Sequence, residues 1–359
     1  METTRLIDPA FWASNKLVAP GSRFPADATD PEGLVWFRTS GSSGPPKWRG
    51  LSRDGLLLSA SIVNAHLAVK ADELWGLALP LNHVGGFGVI ARAYEAGCPL
   101  ACYQQRWNAV AFHTWLTQHE VNHLSLVPTQ VHDLVNASLK APSTLKTIVV
   151  GGGRLASPLG EKARALGWPV LASYGMTEAG SQIATQSLAS LSQPYSPETL
   201  PILPHWSARI GESGCLEIRG ESLFRASLLW KDRWCFEARS QPWFGTEDRV
   251  TLESNRLTVL GRADRCVKIL GELVDLSEIE QDLALEEASV VAVPDARNGH
   301  RLVLAHTRDD VVPVLERYHS NHTGPWRVTS SVRFDRLPRT PLGKVRVDEL
   351  IKMIASREK

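Results

Sequence analysis

Short apolar runs alternate with longer amphipathic segments over the first half of the chain. The apolar runs have the length of buried strands and lie at 33–37, 74–80, 99–103, 123–128, 145–152 and 169–175. Segments with helical spacing of apolar residues lie at 52–69, 85–97 and 108–119, and Ser52 is placed to cap the first of them. Strands that alternate with helices indicate βαβ units, so this part is predicted to be α/β with a mostly parallel sheet.

The pattern changes after residue 200, where short alternating runs are separated by turn residues. GCLEIRG, WFGTEDRVTLE and RLTVLGR are examples, and they predict a small β-rich subdomain. A charged segment begins at residue 262 and leads into the strand-like runs SVVAVPD and RLVLAHT. We therefore expect a large N-terminal domain of residues 1–261, with mixed or parallel sheets and helices, and a small α+β C-terminal domain of residues 262–359.

Composition narrows the classes of partner. The 359 residues carry 39 Lys and Arg against 38 Asp and Glu, a net charge of +1 that gives no reason to expect nucleic acid or an anionic membrane. No apolar run approaches the ~20 residues that span a bilayer, and METTRLIDPAFWASNK has no apolar signal core. The five cysteines form no CxxC pair. We expect a cytoplasmic protein without membrane insertion, with a homodimer open as its assembly.

Hydroxyls, glycines and one lysine are concentrated in TSGSSGPPK, residues 39–47. Glycines let the backbone approach a ligand, and successive N–H groups in a turn bind anions. Hydroxyls and a lysine add donors and positive charge, which suits phosphate. The spacing is not that of a GxxxxGK[ST] loop, so a phosphate cradle and a polar surface loop both remain open. The candidate phosphate ligands are Thr39, Ser40, Gly41, Ser42, Ser43, Gly44 and Lys47.

Two further polar segments follow predicted strands. The three glycines of GGGRL, from residue 151, would let a flat group lie on the backbone, although a simple strand-to-helix turn also explains them. In SYGMTEAGS, Tyr174 offers a stacking face, while Thr177 and Glu178 are hard oxygen donors suited to Mg²⁺. Farther along, Asp248 could hold both hydroxyls of a ribose and Arg262 could add a polar contact. Each of these residues alone could be mere surface.

The order of these motifs resembles that of the acyl-adenylate-forming (AMP-binding) superfamily. The matching segments are TSGSSGPPK at 39–47, YGMTE at 174–178, TED at 246–248, GRAD at 261–264 and RTPLGKV at 339–345. The resemblance implies a two-step reaction with ATP, Mg²⁺ and coenzyme A. A carboxylate attacks the α-phosphate of ATP, which gives acyl-AMP and pyrophosphate, and a thiol then displaces AMP. It also implies a C-terminal domain that rotates about a hinge.

The resemblance assigns roles residue by residue. It implies Lys344, Glu178 and His83 as catalytic residues, with Glu178 also binding Mg²⁺, Asp264 as the hinge, and Lys268 and Gly271 beside coenzyme A. The implied nucleotide contacts beyond the phosphate loop are Gly151, Gly152, Gly153, Ser173, Tyr174, Gly175, Met176, Thr177, Asp248 and Arg262. Two positions depart from the pattern: Glu247 replaces a glycine and adds negative charge near the ribose, and Arg265 stands where an acidic residue is common.

The stretch PLNHVGGFGVIARAYEAG, residues 80–97, resembles the acid pocket of o-succinylbenzoate–CoA ligases, enzymes of menaquinone and phylloquinone synthesis. The resemblance places His83, Arg92 and Ser181 around the acid, with Arg92 meeting a substrate carboxylate. The alternative for Arg92 is a surface position on an amphipathic helix. Only 38 residues precede the phosphate loop, fewer than in most of the family, so unusual acid and thiol contacts are expected.

Several other functions stay open. The chain could activate another aryl or acyl acid, load a carrier protein, or bind a nucleotide without turnover. Separately, HEVNH at 119–123 matches the HExxH signature of zinc hydrolases, which needs both histidines on one helix. We expect the helix to end near Glu120 and His123 to begin a strand, which disfavours that function.

Overall fold

The alternation of strands and helices is present in the computed structural model, which describes residues 3–30, 32–39, 47–270, 272–295, 299–340 and 343–357. The helices are α1 Thr3–Leu6, α2 Pro9–Trp12, α3 Arg53–His66, α4 Val84–Glu95, α5 Ala109–Gln118, α6 Pro128–Asn136, α7 Ser157–Ala165, α8 Leu276–Leu283, α9 Val312–Asn321 and α10 Val347–Arg357. The strands are β1 Val35–Thr39, β2 Lys47–Leu51, β3 Trp75–Leu77, β4 Leu100–Cys102, β5 His123–Leu126, β6 Thr147–Val150, β7 Val170–Met176, β8 Ser181–Thr185, β9 Thr199–Pro201, β10 Ser207–Ile210, β11 Cys215–Arg219, β12 Ala226–Trp230, β13 Trp234–Ala238, β14 Phe244–Glu253, β15 Arg256–Arg262, β16 Cys266–Ile269, β17 Glu272–Asp275, β18 Ala288–Asp295, β19 Gly299–His306 and β20 Val328–Arg333.

A six-stranded sheet has the strand order β4-β3-β5-β6-β7-β8. β3 pairs in parallel with β4 and β5, and parallel pairing continues through β6 to β7. β8 is an antiparallel partner of β7. All residues of β5 and β6 are buried, as in sheets that helices cover on both faces. The predicted mostly parallel sheet is confirmed, and its parallel strands all end at one edge.

Local sequence explains where the helices begin. Ser52 Oγ accepts a hydrogen bond from Gly55 N at 3.2 Å, so Ser52 caps α3 as predicted. Asn108 Oδ1 caps α5 in the same way, accepting from Ala111 N at 2.9 Å. α4 buries most of its residues, Arg92 among them, as expected for a helix that is apolar nearly all round.

Arg53 fastens the N-terminal segment to α3. Its buried guanidinium donates to the main-chain carbonyls of Phe11, Lys16 and Gly33 at 2.9, 2.7 and 2.6 Å. The guanidinium also lies 4.9 Å from the centroid of the Phe11 ring. The segment before β1 is therefore packed against α3.

The strands after residue 200 belong to more than one sheet. β12 and β13 join β1 and β2 in a four-stranded sheet of order β1-β2-β12-β13, in which Arg49 of β2 faces Phe37 on one side and Ser227 on the other. A five-stranded sheet has the order β10-β11-β14-β15-β9. The β-rich texture of the sequence therefore corresponds to two sheets.

Two hydrophobic layers flank the sheet β18-β19-β20 near the C-terminus. Because successive strand residues face opposite sides, Val290 packs with α8 and α9, whereas Val291 packs with α10. Tyr318 of α9 lies in the first layer, and Leu350 and Ile354 of α10 lie in the second. The small α+β arrangement expected for this part of the chain is thus present.

The chain divides into two compact units. The first comprises Met1–Ala208, Ile218–Phe244 and Leu252–Leu257, and the second comprises Arg209–Glu217, Gly245–Thr251 and Thr258–Lys359. The hinge and the boundary at Gly261–Arg262 stay predictions. Within the described ranges, no helix is long and apolar enough to cross a membrane.

Candidate active site

Three predicted site segments lie at the carboxyl edge of the six-stranded sheet. His83 follows β3 and precedes α4 as its N-cap, Gly151–Gly153 follow β6, and Ser173–Met176 form the end of β7. Val150 pairs with Ala172, so the glycine segment lies beside Ser173 and Tyr174. Ligands of open α/β sheets bind at this edge.

The glycine segment leaves room against the main chain. Gly152 has φ of +77°, a conformation that other residues rarely adopt. A Cβ added at Gly151 or Gly153 would meet its nearest neighbours at 3.8 and 3.6 Å, which are ordinary contacts. Packing therefore does not demand glycine at those two positions. A surface without side chains, next to Tyr174, fits a flat purine ring.

A close backbone crossing shapes the connection between β7 and β8. A Cβ at Gly175 would lie 1.8 Å from Ser181 O, so only glycine fits there. Ser181 has φ of +142°, which is unusual for a residue with a side chain. Thr177 and Glu178 form the short 3-10 turn between the strands. The predicted residues Thr177, Glu178 and Ser181 are thus brought together in one connection.

The Glu178 carboxylate pairs with Arg49. Arg49 Nε donates to Glu178 Oε1 at 3.0 Å, and the two side chains are 15% and 17% exposed. Mg²⁺ in nucleotide sites keeps several waters and takes one or two protein carboxylates together with phosphate oxygens. Glu178, with the Thr177 hydroxyl as its neighbour in sequence, is such a donor set. In the part of the chain that the structure describes, no cluster of three His, Cys, Asp or Glu residues could hold a metal ion.

Arg92 is buried rather than on the surface, with an exposed fraction of 2%. Its Nη1 donates to Ser125 Oγ at 3.0 Å, and the guanidinium lies 4.9 Å from the centroid of the Trp75 ring. A Cβ added at Gly88 would lie 3.0 Å from Arg92 Nη2 and 3.5 Å from Ser181 Oγ, so Arg92 and Ser181 face the same small space. The amphipathic-surface alternative for Arg92 is thereby excluded.

The buried Arg92 guanidinium has the neutral Ser125 hydroxyl as a hydrogen-bond partner. Burial lowers the pKa of Arg92 to about 9, so the group is still protonated at neutral pH. No carboxylate of the described residues lies within ion-pair distance of it. A buried charge is costly unless an anion or several hydrogen bonds compensate it. His83 lies at the other end of α4, about 13 Å away along the helix axis.

The phosphate loop is described only at its two ends. Thr39 pairs with Lys47 at the end of the β1–β2 ladder, and Thr39 Oγ1 donates to Lys47 O at 3.3 Å. The Lys47 side chain is exposed. Ser40, Gly41, Ser42, Ser43 and Gly44 lie outside the described residues, so their phosphate contacts stay predictions.

Arg262 forms ion pairs with three carboxylates of the second unit. It binds Asp264 through two hydrogen bonds of 2.9 Å, lies 3.5 Å from Asp248 Oδ1, and also pairs with Glu247. The hydrogen bonds to Asp264 raise the pKa of Arg262 further above its ordinary value. The extra negative charge expected of Glu247 is therefore paired. The structure brings together both predicted ribose contacts and the predicted hinge residue.

Lys344 ends a tight turn whose main chain is fixed at several points. Thr340 N donates to Lys344 O at 2.7 Å, and Lys344 N donates to Thr340 Oγ1 at 3.2 Å. Gly343 has φ of +78°, which glycine adopts readily. Arg339 donates to Gly343 O and forms an ion pair with Glu287 at 2.9 Å. The Lys344 side chain is exposed.

The predicted coenzyme A residues fall on the β16–β17 hairpin. Lys268 is exposed on β16 and pairs across the hairpin with Leu273, which is 64% exposed. Leu270 is 63% exposed. Gly271 lies outside the described residues, so its role stays a prediction.

The HEVNH segment does not form a zinc-hydrolase helix. α5 ends at Gln118, His119 is its C-cap, and His123 starts β5, as expected from the sequence. His123 is buried and binds Glu73 Oε2 at 2.8 Å through Nε2 and Thr147 Oγ1 at 2.7 Å through Nδ1. Both of its ring nitrogens are thus used within the core.

Three residues beside the site were missed by the sequence analysis: Arg49, Trp75 and Ser125. Trp75 and Ser125 read as ordinary strand residues, and only the fold places them against Arg92. Arg49 had a signal in the sequence, because it follows Lys47 by two residues and so lies on the same face of the strand.

The chain is similar to several curated proteins. The 2-succinylbenzoate–CoA ligase of Bacillus pumilus is 27% identical over 323 residues, covering 86% of this chain and 66% of the relative. The 2-succinylbenzoate–CoA ligase of Escherichia coli is 30% identical over 275 residues, covering 74% of this chain and 56% of the relative. The chain thus spans somewhat less than two thirds of these relatives.

Solved structures share the fold. The o-succinylbenzoate coenzyme A synthetase of Bacillus subtilis, in complex with ATP and magnesium ion, matches with a TM-score of 0.75 and 25% identity, covering 91% of this chain and 70% of that one. ATP-bound MatB of Rhodopseudomonas palustris matches with a TM-score of 0.77 and 22% identity, covering 92% and 70%. The family described as AMP-binding enzyme matches residues 6–225, well over half of the chain. This protein therefore belongs to the AMP-binding enzyme family.

Proposed function

We propose that this protein is an ATP-dependent acid–CoA ligase that acts on 2-succinylbenzoate. The names of its relatives and the burial of Arg92 support this function. In the first step, an oxygen of the acid's carboxylate bonds to the α-phosphorus of ATP and pyrophosphate leaves. In the second step, the thiolate of coenzyme A bonds to the acyl carbon and AMP leaves with the electron pair of the broken bond.

The nucleotide contacts are proposed residue by residue. The purine lies on Gly151–Gly153 against Tyr174, and the ribose hydroxyls bind Asp248 and Arg262. The phosphate tail binds the loop from Thr39 to Lys47, beyond the ends that are described. Bound through Glu178, Mg²⁺ supplies charge neutralisation of the phosphates.

Lys344 is proposed to stabilise the transition state of adenylation. Negative charge concentrates there on the attacking carboxylate and the α-phosphate, and an ammonium group stabilises that charge electrostatically. Asp264 is proposed as the hinge, and Lys268 and Gly271 as residues near coenzyme A.

The observation that carries the choice of acid is the burial of the Arg92 guanidinium against Ser125 and Trp75. A substrate with two carboxylates needs one of them held while the other reacts, and a guanidinium binds carboxylate through charge-assisted hydrogen bonds. Ser125, Trp75 and Ser181 fix and flank this guanidinium. A monocarboxylic aromatic acid would leave the buried charge uncompensated. His83 is proposed to line the same pocket.

Product analysis tests the proposal directly. Protein, Mg-ATP and 2-succinylbenzoate are incubated with and without coenzyme A, and products are identified by mass spectrometry. We expect 2-succinylbenzoyl-CoA and AMP only when ATP and coenzyme A are both present. Turnover of another acid from a small panel, with none of 2-succinylbenzoate, would keep the chemistry and reject the substrate. Acyl transfer to a carrier protein without a need for coenzyme A would reject the ligase assignment. Location in the cytoplasm and assembly as a homodimer stay predictions.

A further inference from the structure

Arg49 is a cation placed directly on the proposed metal ligand. It lies on β2, two residues after Lys47, and its Nε donates to Glu178 Oε1 at 3.0 Å. Both side chains are mostly buried, at 15% and 17% exposed, so solvent screens their attraction only in part. The proposed reaction assigns no role to Arg49.

The position of the Arg49 guanidinium does not depend on Glu178 alone. Its Nη1 donates to Ser227 Oγ on the neighbouring strand β12. Its planar group lies 4.7 Å from the centroid of the Phe224 ring and 5.9 Å from that of Phe244. These contacts hold the guanidinium in place whether or not Glu178 turns toward another cation. Phe224 N also donates to Glu178 O at 2.8 Å, which fixes the backbone of the same glutamate.

We propose that Arg49 is an internal counter-cation of Glu178 that competes with the metal for this carboxylate. In the free protein, Arg49 neutralises Glu178 and keeps its affinity for a divalent cation low. Metal then binds at Glu178 only together with the phosphates of the nucleotide. The inference rests on the proposed function, in which Glu178 holds the Mg²⁺ of ATP.

The Arg49 guanidinium has two opposing effects on metal binding at Glu178. Their relative sizes decide whether Arg49 strengthens or weakens the affinity for the metal. Arg49 orients the carboxylate through one hydrogen bond, which favours metal binding modestly. It also places a fixed positive charge within a few ångströms of a doubly charged ion, and in a partly buried site this repulsion is the larger effect. The negative charges of a triphosphate offset the repulsion when metal arrives as a nucleotide complex.

The test is the affinity of the nucleotide-free, full-length protein for Mn²⁺, followed by the loss of the free Mn²⁺ electron paramagnetic resonance signal. We expect Arg49→Met, which keeps a long unbranched side chain without the charge, to bind Mn²⁺ at least ten-fold more tightly than the wild type. Arg49→Lys keeps the charge and should bind as weakly as the wild type. Adding Glu178→Gln to Arg49→Met should remove the gain. Arg49→Gln, which also removes the charge, serves if Arg49→Met fails to fold, as judged by circular dichroism.

The outcomes separate this inference from the proposed function. If both charge-removing variants bind Mn²⁺ no more tightly than the wild type, Arg49 is not a competing cation and the inference is wrong. If Glu178→Gln in the wild-type background leaves the Mg²⁺ dependence of pyrophosphate release unchanged, Glu178 is not the metal ligand and the proposed role of Glu178 fails. Ten-fold tighter binding that depends on Glu178 supports the inference, because a purely structural contact would not strengthen metal binding.

Discussion

Arg92 illustrates how surroundings change the meaning of one residue. From the sequence alone, Arg92 on its predicted helix could be either a substrate contact or a solvent-exposed charge. The structure excludes the solvated charge, because the Arg92 side chain is buried against Trp75 and Ser125. Burial of a charged group costs free energy unless other groups compensate the charge. In the proposed function, the second carboxylate of the acid compensates the charge of the Arg92 guanidinium.

Arg92→Met should raise KM for 2-succinylbenzoate by about 10- to 100-fold, since hydrogen bonds to a charged group contribute roughly 1.5–3 kcal/mol. The KM of an aromatic monoacid should change by less than about three-fold, because it has no second carboxylate to lose a partner. Steady-state kinetics with the two acids measure both values. Thermal unfolding serves as the folding control. Equal changes in KM for the two acids would show that Arg92 does not bind the second carboxylate.

Lys344→Ala should slow adenylation by about 10²- to 10³-fold, the usual cost of losing one group that stabilises developing charge. Binding of ATP should change little, because most nucleotide contacts lie elsewhere. Pyrophosphate release and calorimetric titration with ATP measure the two quantities. Lys352→Ala is a matched control, since Lys352 is an exposed lysine on α10 of the same unit. Pyrophosphate release near the wild-type rate would contradict the role.

Among elements, a polar network stabilises the amino edge of the six-stranded sheet. His123 at the start of β5 binds Glu73, which precedes β3, and Thr147 at the start of β6. Lys146 also pairs with Glu73. The network therefore links the beginnings of three neighbouring strands, whose carboxyl ends carry the candidate site. We expect it to contribute stability rather than chemistry.

The network should make stability depend on pH. Burial acts to raise the pKa of Glu73, but hydrogen bonds from Lys146, His123 and the Lys70 main chain lower it to about 2. A lowered carboxyl pKa gives stability that is present above the unfolded value of 4.5 and is lost as pH falls toward 2. Burial also lowers the pKa of His123, so protonation of its unfolded form opposes folding in the same acid direction.

Glu73→Gln should lower the free energy of unfolding by about 2 kcal/mol at pH 7, because it leaves His123 and Lys146 without their anion. The difference from the wild type should shrink as pH falls from 4.5 toward 2, since wild-type Glu73 then becomes neutral as well. Urea unfolding at several pH values measures it. A difference that stays constant with pH would mean that the ionised carboxylate is not the source of the stability. Glu161→Gln, at an exposed position on α7, is the control.

At the scale of the whole molecule, the two half-reactions should respond differently to a stiffened hinge. Asp264→Pro fixes φ at the predicted pivot, so rotation of the predicted C-terminal domain of residues 262–359 would be restricted. We expect one half-reaction to lose at least about ten-fold in rate while the other changes little. Pyrophosphate release reports the first, and conversion of preformed acyl-AMP by coenzyme A reports the second.

Asp264→Ala separates the hinge from the charge cluster, because it removes the hydrogen bonds to Arg262 without constraining the backbone. Asp264→Ala should slow each half-reaction by a smaller factor than Asp264→Pro slows the half-reaction that it affects more. Equal losses in both half-reactions for Asp264→Pro would argue against a pivot at this residue.

The sequence by itself determined the alternation of strands and helices, the mostly parallel sheet and the family. Hydrophobic periodicity and caps such as Ser52 are local, and motifs such as YGMTE and RTPLGKV are contiguous, so neither needs knowledge of distant contacts. The tertiary structure decided what depends on residues far apart in the chain. Arg49 meets Glu178 and Arg92 meets Ser125 only because strand pairing and helix packing bring them together, and burial then sets the charge each must balance.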